Sequence, residues 1–442
     1  MTTTVSLGGP GGPGRPTPGT AAQPPMPTRR PPTAPPGFHV LAKPSGPICN
    51  LDCQYCYFLE KEALYPGDRF RMSDLTLERY IRQVVEAQSG PEVTIAWQGG
   101  EPTLMGVDFF RRAMALVERY RRPGQSVAHT IQTNGTLLTD EWCAFLAEHR
   151  FLVGLSIDGP RPLHDAYRVD KRGRPTFDRV MEGFARLRTH RVDLNVLCTV
   201  NAANQDHPLD VYRFFRDDLD VRHVQLIPIV ERVGDDQVTD RSVDPAAWGR
   251  FLSTVFDEWV VRDVGEVFVS HFDAALASWV GVRPALCIFG ETCGDAVALE
   301  HNGDLYSCDH FVEPAHLLGN IAETHLVELL ASKPQRDFGQ AKQDTLPAYC
   351  RRCAVRFACH GECPKNRFVA TPDGEPGLNY LCPGYLAFFT HIDGPMRLMA
   401  ELVKAGRFAD EVRAILTSGP RNDPCPCGSG RKAKLCHQRP AP

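Results

Sequence analysis

Little in this chain argues for a membrane, a nucleic acid or an export route. No apolar run approaches the eighteen or more residues that a spanning helix needs, and the N-terminus lacks the basic-then-apolar layout of a secretory signal. A cytoplasmic chain with no membrane insertion is therefore expected. Neither sign of charge is in excess: 49 Lys and Arg stand against 53 Asp and Glu, a net charge of −4. That balance gives no global footprint for nucleic acid or an anionic surface, so any partner is chosen locally. Repeats and coiled-coil heptads are missing too, which leaves the oligomeric state open. Over residues 1–37 there is no acidic residue and no apolar periodicity, while 18 of the 37 are Gly or Pro; this arm is expected to be disordered. Its three arginines, Arg15, Arg29 and Arg30, do not make a transit peptide, because the prolines prevent the amphipathic helix such peptides need.

What is present is a chain of 442 residues, 43% hydrophobic, long enough for one large core and one or two smaller modules. From residue 38, strand-like runs at 93–97, 128–132, 152–157, 194–200 and 224–229 alternate with helical patterns at 74–88, 108–121, 140–148, 177–188 and 207–218. That order implies an α/β fold with a parallel sheet, open or curled into a full or partial barrel, and ligands at the C-terminal ends of the strands. Three strands run into turns that would share that mouth: QGGEP at 98–102, QTNG at 132–135 and SIDGP at 156–160. The alternation predicts a first domain at 38–280. Beyond it the cysteine density rises, marking a second module at 281–400, and a third lies at 421–438.

Sixteen cysteines in an unexported chain read as metal ligands rather than as a disulfide framework. Fourteen fall into three groups. Cys49, Cys53 and Cys56, in CNLDCQYC, offer three thiolates to a four-iron cubane and leave one iron open for chemistry. A structural zinc site with a distant fourth ligand, for example His39, is the alternative. The second group comprises Cys287, Cys293, Cys308, Cys350, Cys353, Cys359, Cys363 and Cys382, for which a pair of zinc ribbons is the competing reading. In the tail, Cys425 and Cys427, followed after eight residues by Cys436 and His437, suit one tetrahedral zinc ion. Cys143 and Cys198 sit in apolar contexts and are expected in the core.

The CxxxCxxC of Cys49, Cys53 and Cys56, with Tyr55 beside the last ligand and the GGEP segment Gly99, Gly100, Glu101 and Pro102 at a strand end, resembles the radical S-adenosylmethionine superfamily. The resemblance implies a partial (β/α)6 barrel in which the open iron chelates S-adenosylmethionine and one electron cleaves it to a 5′-deoxyadenosyl radical. The second cysteine group resembles a SPASM domain, which implies two auxiliary clusters and thus three [4Fe-4S] clusters in all. By that resemblance Cys287, Cys293, Cys308 and Cys363 hold one auxiliary cluster, and Cys350, Cys353, Cys359 and Cys382 the other. The strings WQGGEPTL at 97–104, SIDGPRPLHDAYRVDKRG at 156–173, ALEHNGDLYSCDHFV at 298–312, CPKNRF at 363–368 and LNYLCPGY at 378–385 narrow the resemblance to the anaerobic sulfatase-maturating enzymes. These convert a Cys or Ser in a CxPxR-type or SxPxR-type sulfatase segment to Cα-formylglycine.

That resemblance implies site roles. Asp309 is the expected base, with a carboxylate that only orients His310 or a backbone amide as the alternative. Tyr55, Gly99, Gly100, Glu101, Ser156, Arg168 and Ile227 are expected around the cofactor, although Arg168 in HDAYR also reads as a solvated helix residue. Gln98 is expected at the substrate peptide. A flavodoxin or ferredoxin is the expected electron donor. RNDPCPCGSGRKAKLCH at 421–437 resembles a SEC-C zinc motif, which implies contact with the Sec machinery or the ribosome; a small zinc knuckle with no partner is the alternative. Two other functions compete: a maturase that forms thioether or carbon–carbon crosslinks in another ribosomally made peptide, and a non-catalytic metal-binding adaptor.

Overall fold

A computed structural model of the chain describes residue 27 and residues 30–438. Most of the arm expected to be disordered therefore lies outside the described residues. Its last part meets the body: the Thr33 hydroxyl donates to the Ala331 carbonyl at 3.2 Å and Ser89 to that of Pro36 at 2.8 Å.

Strands β1 (His39–Lys43), β2 (Glu92–Trp97), β3 (Ser126–Thr133), β4 (Leu152–Ser156), β5 (Asp193–Val200) and β6 (His223–Pro228) run parallel in chain order. Between and after them come α1 (Asp74–Ala87), α2 (Val107–Tyr120), α3 (Asp140–Glu148), α4 (Phe177–Thr189), α5 (Pro208–Arg213) and α6 (Pro245–Arg262), giving six strand–helix units. This is the expected α/β arrangement, with the element bounds shifted by a residue or two. The exception is 207–218, where α5 gives way to a π-helical turn at Phe214–Asp218.

Local chemistry explains the starts of these helices. Ser73, Thr139 and Asp244 each accept from a backbone N–H in the first turn of α1, α3 and α6. In α1 the buried Leu77, Tyr80, Ile81, Val84 and Val85 make one apolar stripe. Trp97, fully buried at the end of β2, meets Tyr80, Phe109 and Phe110 edge to face, so one indole ties α1, β2 and α2 together.

The sheet does not stop near residue 280. After β7 (Phe268–Val269), which pairs with β6, and α7 (Ser270–Val280), strand β8 (Ala296–Glu300) joins the opposite edge, parallel to β1, with His39 beside Ala296 and Lys43 beside Glu300. Two short antiparallel strands, β9 (Asp304–Tyr306) and β10 (Leu317–Asn320), complete a ten-stranded sheet. Helix α8 (Lys333–Asp344) and the long α9 (Cys382–Lys404) follow, then α10 (Glu411–Thr417). Helix α9 crosses α6 where two glycines meet: a Cβ on Gly384 would stand 2.1 Å from the Pro245 carbonyl oxygen.

Candidate active site and metal centres

The loop after β1 carries the first cysteine group, and the turn after β2 holds that loop in place. Gly100 N–H donates to the Gly46 carbonyl at 2.8 Å and Glu101 N–H to that of Ile48 at 2.9 Å. A side chain at Gly100 would put its Cβ 2.1 Å from the Ile48 oxygen, so only glycine permits the approach. Glu101, fully buried, turns its carboxylate inward to accept from Thr103, Thr133 and the Asn134 backbone, which ties the end of β2 to the end of β3. Asn134 in turn reaches Asn50 at 2.9 Å and the Cys49 sulfur at 3.6 Å. Burial, then the Glu101 carboxylate, pushes the Cys49 thiol up to about 12, and burial pushes Cys53 up to about 11.

Across the mouth, Asp158 is a hub that the sequence reading passed over inside SIDGP. It accepts from the Tyr55 hydroxyl, from Arg168 Nη2 at 3.1 Å and from the Thr199 N–H at 3.0 Å, and Arg168 Nε lies 2.9 Å from its other oxygen. Arg168 is buried, which removes the solvated reading. Ser156 closes β4 and is buried; Ile227, on β6, and Gln98, just after β2, are half-buried.

Asp309 follows β9. Its Oδ1 lies 2.7 Å from the ammonium of Lys43, the fully buried last residue of β1, and its Oδ2 accepts from the Tyr57 hydroxyl at 2.8 Å. Both oxygens thus go to side chains that the sequence reading missed, one of them next to Cys56. Burial would raise the Asp309 pKa, but Lys43, then His310, outweighs it, and the carboxyl stays below the ordinary range. His310 places Nδ1 3.4 Å from the sulfur of Cys363.

Cys350, Cys353, Cys359 and Cys382 line one cavity with Glu362, Asn379 and Tyr385. Cys308 is within electrostatic reach of Cys287 and Cys293, and Cys363 within reach of Cys308 and Cys287. A buried lysine and a half-buried arginine stand among them. The Lys342 ammonium donates to the Cys287 and Ile288 carbonyls at 2.7 and 2.8 Å. The Arg367 guanidinium donates to the carbonyls of Gly361, Lys342, His360 and Glu362. Neither has a sequence signal, since an isolated Lys or Arg in a polar helix or loop reads as solvated.

The tail differs in scale. The ligand atoms of Cys425, Cys427, Cys436 and His437 all lie within 4.8 Å of one another; among the described residues no other group of three or more such side chains is drawn so close. Tetrahedral zinc sets its sulfurs about 3.8 Å apart, and Cys427 and Cys436 stand at 3.6 Å. The knuckle rests on α9, where a Cβ at Gly394 would lie 2.0 Å from the Cys427 carbonyl oxygen. Arg421, Arg431, Lys432 and Lys434 are exposed. Cys143 and Cys198 are fully buried in the core.

Three family patterns match the chain: the Radical SAM superfamily over residues 44–215, an iron-sulfur cluster-binding domain (SPASM) over 287–354, and the SEC-C motif over 421–439. A curated protein of Bacteroides thetaiotaomicron, named serine-type anaerobic sulfatase-maturating enzyme, is 46% identical over 395 residues, 86% of this chain and 95% of that protein. A protein of the same name from Klebsiella aerogenes is 36% identical over 375 residues, 84% of this chain and 89% of its own. The solved structure of native anSMEcpe with bound AdoMet superposes with a TM-score of 0.75 at 30% identity, covering 82% of this chain and 99% of that one. No helix of the described residues is long and apolar enough to cross a membrane.

Proposed function

The chain belongs to the anaerobic sulfatase-maturating enzymes of the radical S-adenosylmethionine superfamily, and from that membership we propose that it oxidises a serine, in an SxPxR-type segment of an unfolded sulfatase, to Cα-formylglycine. It is a protein-modifying radical enzyme whose cofactors are S-adenosylmethionine and several [4Fe-4S] clusters. The choice of serine over cysteine is supported by the two curated relatives, both serine-type.

The observation that carries the reading is the contact between Tyr57 and Asp309. It joins the residue after proposed ligand Cys56 to the residue after proposed ligand Cys308, and so sets a half-buried carboxylate between the first cluster site and an auxiliary one. Cys49, Cys53 and Cys56 would hold the first cluster, which together with S-adenosylmethionine would supply the chemistry that removes hydrogen from the substrate Cβ. Asp309 then takes the hydroxyl proton as the carbonyl forms; Lys43 and Tyr57 hold its carboxylate in place, ionised, for that task. Gly99 and Gly100 offer backbone to the methionine end of the cofactor. Glu101, with no side chain turned outward, shapes that turn. Arg168, braced by Asp158 and Tyr55, presents its charge to the cofactor carboxylate or ribose. Ser156 and Ile227 flank the adenosyl group, and Gln98 faces the peptide.

Cys287, Cys293, Cys308 and Cys363 hold one auxiliary cluster, Cys350, Cys353, Cys359 and Cys382 the other, and the knuckle holds zinc. A flavodoxin or ferredoxin reduces the first cluster in the cytoplasm. The exposed basic face of the knuckle brings the enzyme to sulfatase chains at the ribosome or the Sec machinery before export.

Mass spectrometry of an SxPxR peptide and its CxPxR twin, after anaerobic incubation with the iron-reconstituted chain, S-adenosylmethionine and reductant, tests the proposal. Conversion of the serine peptide to the aldehyde is expected. Conversion of the cysteine peptide alone would reverse the substrate assignment, and 5′-deoxyadenosine without any aldehyde would move the chemistry to another peptide.

A further inference from the structure

Helix α8 turns one face to the auxiliary ligands. Gln335, Gly339 and Lys342, four and then three residues apart, share that face, and each meets a loop that carries a ligand of the same set. Gln335, 3% exposed, donates to the Gly294 carbonyl at 2.7 Å, next to Cys293, and to the Ser307 carbonyl at 3.1 Å, next to Cys308. At Gly339 the carbonyl accepts from the Cys293 N–H at 3.2 Å, and a Cβ there would lie 2.3 Å from the Cys293 oxygen. Lys342, 1% exposed, closes the row on the carbonyl of Cys287 itself. One helix face therefore fixes the loops of three of the four cysteines.

The Cys287 carbonyl already accepts from the Gly290 N–H at 3.1 Å, and a neutral amide would serve as the further donor to this turn. The structure spends a charge there. A cluster capped by four thiolates is already anionic and gains a further negative charge on reduction; a buried cation beside it favours the reduced form, because Coulomb interactions are weakly screened in the interior. Arg367 adds a second positive charge, and its Nη1 donates to the Lys342 carbonyl at 2.6 Å. Opposing them is the buried Glu362, held by Asn379 and Asn366.

We infer that α8 is a bracket for the cluster of Cys287, Cys293, Cys308 and Cys363, and that the Lys342 ammonium raises the reduction potential of that cluster, fitting it to accept the electron the oxidation releases. The substrate carbon loses that electron as Asp309 gains the proton, so charge and atoms balance. The inference rests on the ligand set proposed above, and Lys342 acts on the cluster without touching substrate.

The test is an EPR-monitored redox titration of the full chain with Cys49, Cys53 and Cys56 replaced by Ala, which leaves the auxiliary sites alone. With Lys342→Gln, one of the two transitions is expected at a lower potential while iron content is unchanged. Gln335→Leu, which loosens the bracket without altering charge, is expected to leave that potential in place. An unmoved potential in the iron-loaded Lys342→Gln protein, or an equal shift in Gln335→Leu, would overturn the inference. Should Lys342→Gln fail to hold iron, loading of Lys342→Arg would uphold the need for a cation and its failure would overturn it. Iron below two clusters in the parent protein would overturn the ligand set, and the inference with it.

Discussion

Asp158 gathers a phenol, a guanidinium and a backbone N–H onto one carboxylate with 1% side-chain exposure. Replacing it with Asn would strand the Arg168 charge in the interior, a change that costs about 3–5 kcal/mol when one partner of a buried pair is removed; thermal unfolding at lower temperature and loss of S-adenosylmethionine cleavage are expected together. Asp309→Asn behaves differently. With the proposed base gone but the cysteine loop intact, 5′-deoxyadenosine should still form while aldehyde formation falls by about 10²–10⁴-fold, measured on the same peptide. A third residue reports on pH. His271 is fully buried, and burial holds its pKa down to about 3. An unfolded chain would protonate it below about 6.5, so stability is full above that pH and falls by about 1.4 kcal/mol per unit from there towards 3. In His271→Phe, denaturant unfolding should lose one proton's worth of that slope between pH 5.5 and 4.5. The cysteines and the GGEP turn were legible as residues because their chemistry demands a spacing. Lys43, Tyr57, Asp158 and Lys342 were not, because their meaning lies in partners far along the chain that only the fold supplies.

Elements were legible where periodicity had room to show. Helix α1 has a stripe five apolar residues long, and β2, β3 and β4 each end in a turn of distinctive composition. By contrast β8, β9 and β10 have five, three and four residues, and the first of them pairs with a strand near the start of the described chain, so nothing local announces a sheet there. The crossing of α6 and α9 is equally silent in sequence, yet it rests on Gly249 and Gly384. Gly384→Ala forces a methyl against the Pro245 carbonyl, and since backbone cannot step aside as a side chain can, an overpacking cost of about 1–3 kcal/mol is expected, read as a lowered denaturation midpoint.

For the molecule as a whole, the tail is part of the body. Cys425 and Cys427 are buried within the main core, and Gly394 admits the knuckle to α9. Removing residues 421–442 should lower the melting temperature, by roughly 2–4 °C for each kcal/mol of packing lost, while leaving S-adenosylmethionine cleavage in place; unchanged melting would mean that the knuckle is a passenger. The pairing of β1 with β8 sets a timetable of its own. The outer edge of β1 waits about 250 residues for its partner to emerge from the ribosome, about 13–50 s at ordinary translation speeds. During that time the most N-terminal strand of the sheet has unpaired backbone on one side. The contacts that Lys43 and Tyr57 make with Asp309 cannot form until synthesis has passed Asp309, so the proposed site is completed by the second half of the chain folding back onto the first.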